Sequence, residues 1–257
     1  MNTLHFKNAI VRKPCRNMVN GLTTAKLGVP DYNLACKQHE KYIEALEACG
    51  LEVDVLEANE NYPDSTFIED IALLTPHCAI ITNPGAPSRI GEADDVIDTI
   101  KKYFSNIEFI IYPGTIEAGD IMMVGDHFYI GLSERTNQEG ARQMTTILEK
   151  NKLNTTLVLL KDMLHLKTGV AYLEHNRLAA TGEFISNPVF KSFEILEIES
   201  RESYAANCIW VNDFVIIPEG YPNAKNLIET EGYKTIEVDV SEFKKLDGGL
   251  SCLSLRF

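Results

Sequence analysis

One pattern recurs along the chain and limits what it can fold into: an apolar run, a short polar turn, and a second apolar run. It appears as IALLTPHCAIITNPG from Ile71, IMMVGDHFYIG from Ile121, VAYLEHNRLAATG from Val170 and CIWVNDFVIIPEG from Cys208. Each reads as a β-hairpin, because the turn carries the Pro, Gly, His, Asn or Asp residues that tight turns need. The units start 50, 49 and 38 residues apart, and Cys252 lies 44 beyond the last. Repeats of that length point to a propeller or a similar array. The fifth unit is cut in half. CLSLRF supplies one strand and AIVRKP, residues 9 to 14, is its obvious partner, so pairing them closes a ring of five and removes an open sheet edge.

Between the hairpins, helix patterns alternate with further strands. DYNLACKQHEKYIEALEACG sets Ala35, His39, Tyr42, Ile43, Leu46 and Cys49 on one stripe at helical spacing, with Asp31 as cap and Gly50 as stop. LEVDVLE follows as a strand. ADDVIDTIKKYF then IEFIIY, TNQEGARQMTTILEK then TTLVLL, and AKNLIETEGY then TIEVDV repeat that order. The expected fold is α/β: one domain over residues 1–257, a five-bladed pseudo-symmetric α/β-propeller with strands lining the central axis and helices outside.

The charge balance narrows the partners. With 24 basic against 37 acidic residues the net charge is -13, and no Lys/Arg cluster could track a phosphate backbone. Nucleic acid and an anionic membrane surface are therefore not expected as partners. MNTLHFKNAIVRKP lacks the apolar stretch of a secretory signal, and no apolar run approaches a membrane span, so the cytoplasm is the expected location. Six scattered cysteines without a C-x-x-C pair read as reduced thiols, neither a disulfide framework nor a zinc knuckle.

If the units are equivalent, the stretches just before each hairpin converge near the axis. They are PDSTFIED, IEAGD, LHLKT, AANC and GGLSC, and they carry Asp64, Glu69 and Asp70; Glu117 and Asp120; His165 and Lys167; Asn207; and Cys252. Taken singly, each has a plainer reading: Cys252 as a buried apolar thiol, His165 as a structural histidine, Gly248 and Gly249 as a simple turn. Together, a thiol, an imidazole and a carboxylate on corresponding edges of one ring make a Cys/His/Glu constellation. The remaining carboxylates suit a planar cation with several N–H donors, of which guanidinium is the natural candidate. Arg89 and Arg135, on loops leaving hairpins, could each bind a substrate carboxylate.

With PDSTFIED, ITNPGAPSR, EAGD, GLSERTNQEGA, LHLKT, AANC and DGGLSCLS in this order, the chain resembles the dimethylarginine dimethylaminohydrolases, guanidine-modifying enzymes of the five-bladed pentein fold. The resemblance implies a hydrolase that turns an Nω-methylated arginine into citrulline and an alkylamine, through a covalent thiouronium on cysteine. By matching motif it implies Cys252 as nucleophile, His165 as acid/base and Glu117 as its orienting carboxylate. Asp64 and Asp70 would hold the guanidinium, with Glu69 beside them contacting substrate or supporting the loop. Arg89 and Arg135 would bind the α-carboxylate, the carbonyls of Leu22 and Leu246 the α-ammonium, and Phe67 would pack on the substrate side chain. Leu22 would tip a flexible lid. No metal or organic cofactor is expected, the partner is a small molecule, and a homodimer is compatible with the reading. EAGD stands where GGD is usual and Ser251 where threonine is common. Two alternatives stay open: an arginine deiminase-like hydrolase acting on an unmethylated guanidine, and a non-catalytic binding propeller.

Overall fold

Strand β1 (Asn8–Arg12) occupies the middle of the first blade and runs parallel to β2 (Glu52–Leu56). The computed structural model describes residues 5–257. Blade two is β3 (Ala72–Leu74), β4 (Ala79–Ile81) and β5 (Ile107–Phe109); blade three is β6 (Ile121–Val124), β7 (His127–Leu132) and β8 (Asn154–Leu159). Blade four is β9 (Val170–Tyr172), β10 (Arg177–Ala180) and β11 (Glu194–Glu197); blade five is β12 (Ile209–Val211), β13 (Phe214–Pro218) and β14 (Lys234–Val238). In each of these four, an antiparallel hairpin is completed by a parallel outer strand. The last strand, β15 (Leu255–Arg256), then pairs antiparallel with β1, Ala9 opposite Arg256 and Ile10 opposite Leu255. The two chain ends thus build one blade and close the five-fold ring that the half-unit implied.

The hairpin strands are buried on both faces, which is why their sequences are continuous apolar runs rather than alternations. Outer strands keep one face wet and read as mixed, as in the exposed–intermediate pattern of β2 and β8. Helix α1 (Tyr32–Ala48) starts where Asp31 accepts from the Leu34 amide at 3.0 Å, and buries Ala35, His39, Tyr42 and Leu46. Between it and the next full-length helix lies one turn, α2 (Ile97–Ile100). Helix α3 (Gln138–Lys150) starts in the same way as α1, with Asn137 accepting from Gly140 at 2.7 Å. These caps satisfy amides that a helix start leaves open.

One expectation was too helical. The α2 stretch stays at one turn, and Asp95 beside it accepts from Arg12 at 2.6 Å and from Asn59 at 2.9 Å. Blade four carries no helix of its own between β10 and β11; Pro188 and two short 3-10 turns bridge them, and buried Phe184 and Phe190 fill the space that a helical stripe would.

Each inner strand is preceded by a short helical segment: Ile68–Ile71 before β3, Ala118–Asp120 before β6, α4 (Leu166–Gly169) before β9, two kinked turns over Ser200–Ala206 before β12 and Ser251–Leu253 before β15. These turns pack against one another around the axis. The ring therefore brings together residues far apart in sequence.

Candidate active site

A cavity of about 230 Å³ opens at one end of the axis. Its floor holds Cys252, His165, Glu117 and Asp70, and its walls include Phe67 and Arg135. Nearly all are buried, although burial of such groups is costly without partners. The partners are present.

His165, which leads into α4, places Nε2 2.8 Å from Glu117 Oε2. Burial works against its charged form, but Asp70, the Glu117 hydrogen bond and Asp120 together raise the imidazole to about 9. At neutral pH it is an imidazolium. Glu117 is held from its other side: Oε1 accepts from the Ala86 amide at 3.1 Å and lies 3.7 Å from Arg135. Gly119 makes room for this pair. A Cβ there would meet Asp70 Oδ1 at 2.7 Å and His165 Nδ1 at 2.9 Å. Ala118, the residue that departs from the usual GGD, points instead toward a second cavity on the axis.

Cys252 sits in the Ser251–Leu253 turn, and its sulfur accepts from the Gly249 amide at 3.4 Å. Burial, then Asp70 and Glu69, push the thiol up to about 12, against the pull of Gly249 and Ser251. The resting nucleophile candidate is a neutral thiol facing carboxylates, an arrangement that a cation would invert. The turn is pinned from three directions. Asn207 accepts from the Ser251 amide at 2.9 Å, and Tyr42 and Tyr204 donate to the carbonyls of Leu250 and Gly248 at 2.9 and 2.8 Å. Gly248 lies flat against the Phe67 ring, where a Cβ would overlap it. Among the described residues, all six cysteines are free thiols.

The acidic loop divides its side chains. Asp70 Oδ1 accepts from the Gly119 amide at 3.0 Å and Oδ2 from Arg89 at 2.5 Å, beside Glu117 and His165. Burial opposes its ionisation, but His165 and Arg89 hold its carboxyl below the usual range. Asp64 lies beside Leu22, accepting from its amide at 2.9 Å; burial raises its carboxyl, partly offset by Arg89. The two aspartates expected to share one guanidinium both line the cavity, with different hydrogen-bond partners. Glu69 is not in this cavity at all. It turns to the axial side and pairs with Lys167 at 2.6 Å, so of its two expected roles only support of the loop fits.

The arginine pair also divides. Arg89 is buried, with Nε and one terminal nitrogen on Glu92 at 2.8 and 2.6 Å, and further bonds to Asp70 and to the Phe67 carbonyl at 2.9 Å. Its guanidinium mainly braces the acidic loop, and its side chain is 5% exposed against 22% for Arg135. Arg135 is therefore the better placed for an incoming carboxylate. Leu246 and the half-exposed Leu22 both line the cavity, at the lid end with Asp64.

Residues 22–24 line the same cavity. Thr24 donates to Asp247 through its amide at 2.5 Å and its hydroxyl at 3.0 Å, and Thr23 donates to the Lys245 carbonyl at 2.8 Å. Asp247 escaped the sequence reading; its only signal was a charged residue before two glycines. Asp70, Glu117 and His165 offer three ligand atoms within 4.8 Å of one another. All three are engaged in the network just described, which suits acid–base work better than metal ligation.

The chain can be set against known proteins on this geometry. Residues 30–180 match the family described as N,N dimethylarginine dimethylhydrolase, eukaryotic. Over 98% of the chain and 100% of the relative, it is 56% identical to the N(G),N(G)-dimethylarginine dimethylaminohydrolase of Pseudomonas aeruginosa. The enzyme of the same name from Streptomyces coelicolor is 31% identical over 97% of the chain and 96% of the relative. A crystal structure of the Pseudomonas enzyme, a cysteine-to-serine mutant complexed with citrulline, superposes with a TM-score of 0.98, covering 99% of this chain and 100% of that one. A second dimethylarginine dimethylaminohydrolase structure, a histidine-to-glycine adduct with S-methyl-L-thiocitrulline, gives 0.97 over 98% and 100%.

Proposed function

The chain belongs to the dimethylarginine dimethylaminohydrolase family, and from that premise we propose that it hydrolyses Nω-methylated L-arginine to L-citrulline and an alkylamine. One observation carries the assignment of residues: a protonated-range imidazole, His165, and a neutral thiol, Cys252, share one cavity with a carboxylate, Asp70, that fits a guanidinium. Arg135 suits the α-carboxylate. Asp64, beside Leu22 and Leu246, suits the α-ammonium.

The chemistry follows from those charges. A guanidinium entering beside Asp70 places positive charge next to Cys252, and the thiol loses its proton to solvent. The thiolate adds to the guanidinium carbon and forms the C–S bond. His165 gives its proton to the departing nitrogen as the C–N bond breaks, releasing the amine and leaving a thiouronium on Cys252. Neutral His165 then takes a proton from water while the oxygen adds to the same carbon. Collapse breaks the C–S bond, with the hydroxyl proton passing to sulfur, and citrulline leaves. Glu117 stabilises the imidazolium in both half-reactions.

The site draws on residues from Leu22 to Cys252, which supports one catalytic unit over residues 1–257. No described helix is long and apolar enough to cross a membrane, and a cytoplasmic setting belongs to the same proposal. So does a homodimer, supported by the exposed Phe109, Ile111 and Tyr112 at the end of β5. The test is citrulline release from dimethylarginine, monomethylarginine and arginine by the parent and by Cys252→Ser. The parent should prefer the methylated substrates and the variant should form no citrulline. Near-parental turnover by the variant would remove Cys252 from the mechanism.

A further inference from the structure

Behind the catalytic residues, a second cavity of about 130 Å³ runs along the ring axis, walled by the first strand of every hairpin. The turns that build the active site show one side chain to each cavity. Asp70, Glu117, His165 and Cys252 face the substrate side, while their neighbours Glu69, Ala118, Lys167 and Ser251 line the axial one. Cys252 is thus the meeting point of two adjacent carboxylates, Asp70 in front and Glu69 behind, and both disfavour its thiolate.

Each carboxylate has its own cation. Asp70 has Arg89 at 2.5 Å. Glu69 has Lys167 at 2.6 Å, with Arg256 farther off at 3.6 Å, both on Oε1. Glu69 Oε2 is buried with no hydrogen-bond partner, so the charge of this carboxylate is balanced on one side only. The other titratable groups around the pair are Tyr42, which senses Glu69 and Arg256, Glu174 on the axial wall, and His165 and Tyr204 near the sulfur. Among the described residues, Lys167 and Arg256 are the cations in ion-pair reach of Glu69. Lys167 lies two residues beyond His165 across α4, so one tight turn delivers the imidazole forward and the ammonium backward.

We infer that Lys167 is a positioning residue for the nucleophile: it anchors the Glu69 charge on the axial side and limits how strongly that charge opposes ionisation of Cys252. The inference rests on Cys252 as nucleophile. In a low-dielectric interior an uncompensated carboxylate next to a thiol suppresses the thiolate strongly, and a cation in contact with that carboxylate cancels most of its field. Burial raises the Glu69 carboxyl, while Lys167 and Arg256 lower it. The alkaline range where the thiol titrates lies far above ordinary carboxyl values, so with Arg256 still in reach, loss of Lys167 exposes the charge rather than neutralising it.

The experiment measures the rate of Cys252 alkylation by iodoacetamide against pH, in substrate-free enzyme, with Cys252→Ser as the background. Lys167→Met should slow labelling about tenfold at each pH, the equivalent of one pH unit in the thiol. Glu69→Gln should speed it above the parent, Lys167→Arg should stay near the parent, and Glu69→Gln/Lys167→Met should return to within about twofold of it, because neither charge remains. A Lys167→Met profile that matches the parent, or one that stays slow in the double variant, overturns the inference. Should Lys167→Met fail to fold, Glu69→Gln decides alone, since an unchanged rate there overturns it as well. Labelling that persists at the parental rate in Cys252→Ser instead overturns the nucleophile reading, and this inference with it.

Discussion

Glu117 Oε2 and His165 Nε2 lie 2.8 Å apart at the junction of blades three and four, both buried beneath the substrate cavity. Asp70 and then this pairing hold the imidazole at about 9 despite burial, so His165 is protonated through neutral pH. The acid form is therefore present below that value and is lost as pH rises through it, so activity limited by amine protonation should fall on the alkaline side. Glu117→Gln removes one of the charges that raise the imidazole. The alkaline limb should move to lower pH and kcat should drop about a hundredfold, in line with loss of well-tuned acid–base catalysis. A kcat/KM profile of both proteins checks this, and a limb that stays in place would detach Glu117 from the histidine.

The EAGD stretch allows a sharper steric test. Gly119→Ala drives a methyl between Asp70 Oδ1 and His165 Nδ1, where neither can retreat without breaking its own bonds. We expect turnover to fall about a hundredfold, with an overpacking cost of about 1–3 kcal/mol in urea unfolding. Ala118→Gly, one residue earlier and on the axial wall, should change turnover less than about twofold, its cost being the roughly 0.5–1 kcal/mol of added backbone freedom.

Arg89 and Arg135 should respond in opposite ways to truncation. Arg89→Ala strands Asp70 and Glu92 as buried carboxylates and removes the brace of the acidic loop, so stability should fall by about 3–5 kcal/mol. Arg135→Ala leaves a group at the cavity wall that is partly exposed; its melting temperature should stay close to the parent while KM for methylarginine rises at least about tenfold. Thermal unfolding and steady-state kinetics on the two variants separate these roles.

Local signals made much of this molecule readable before its coordinates. Turn residues marked the hairpins, Asp31 marked the start of α1, and the half-unit at Cys252 forecast the pairing of β15 with β1. What failed depends on rotation and distance rather than on pattern. Glu69 and Asp70 are adjacent and chemically alike, yet the turn at Ile68–Ile71 aims them into different cavities, and nothing in IED says which goes where. Arg89 looked free because its partner Glu92 is only three residues on, as in any exposed loop; burial turns that spacing into a closed ion pair. The bond from Thr24 to Asp247 spans 223 residues and joins two polar stretches that each read as plain loop. Such contacts are set by the closed ring, so they become visible only after it is built.

His39 carries a last expectation, on stability. It lies on the inner face of α1 against Phe243, whose ring meets Phe67 edge-on at 6.2 Å, and its Nε2 has no partner. Burial, with Lys13 adding to it, lowers the imidazole to about 4. Unfolded histidine titrates near 6.5, so the folded state binds fewer protons than the unfolded one between the two values. The neutral form contributes its full stability above about 6.5 and loses it as pH falls toward 4, a swing of about 3 kcal/mol at most. His39→Leu keeps the apolar packing and removes the titration. Urea unfolding at neutral and mildly acidic pH should therefore show a smaller acid loss in the variant, and because α1 backs the Phe243–Phe67 contact, citrulline formation by the parent should weaken with the same pH dependence as its unfolding. Equal acid losses in parent and variant would place the acid sensitivity elsewhere, in the buried carboxylates of the site.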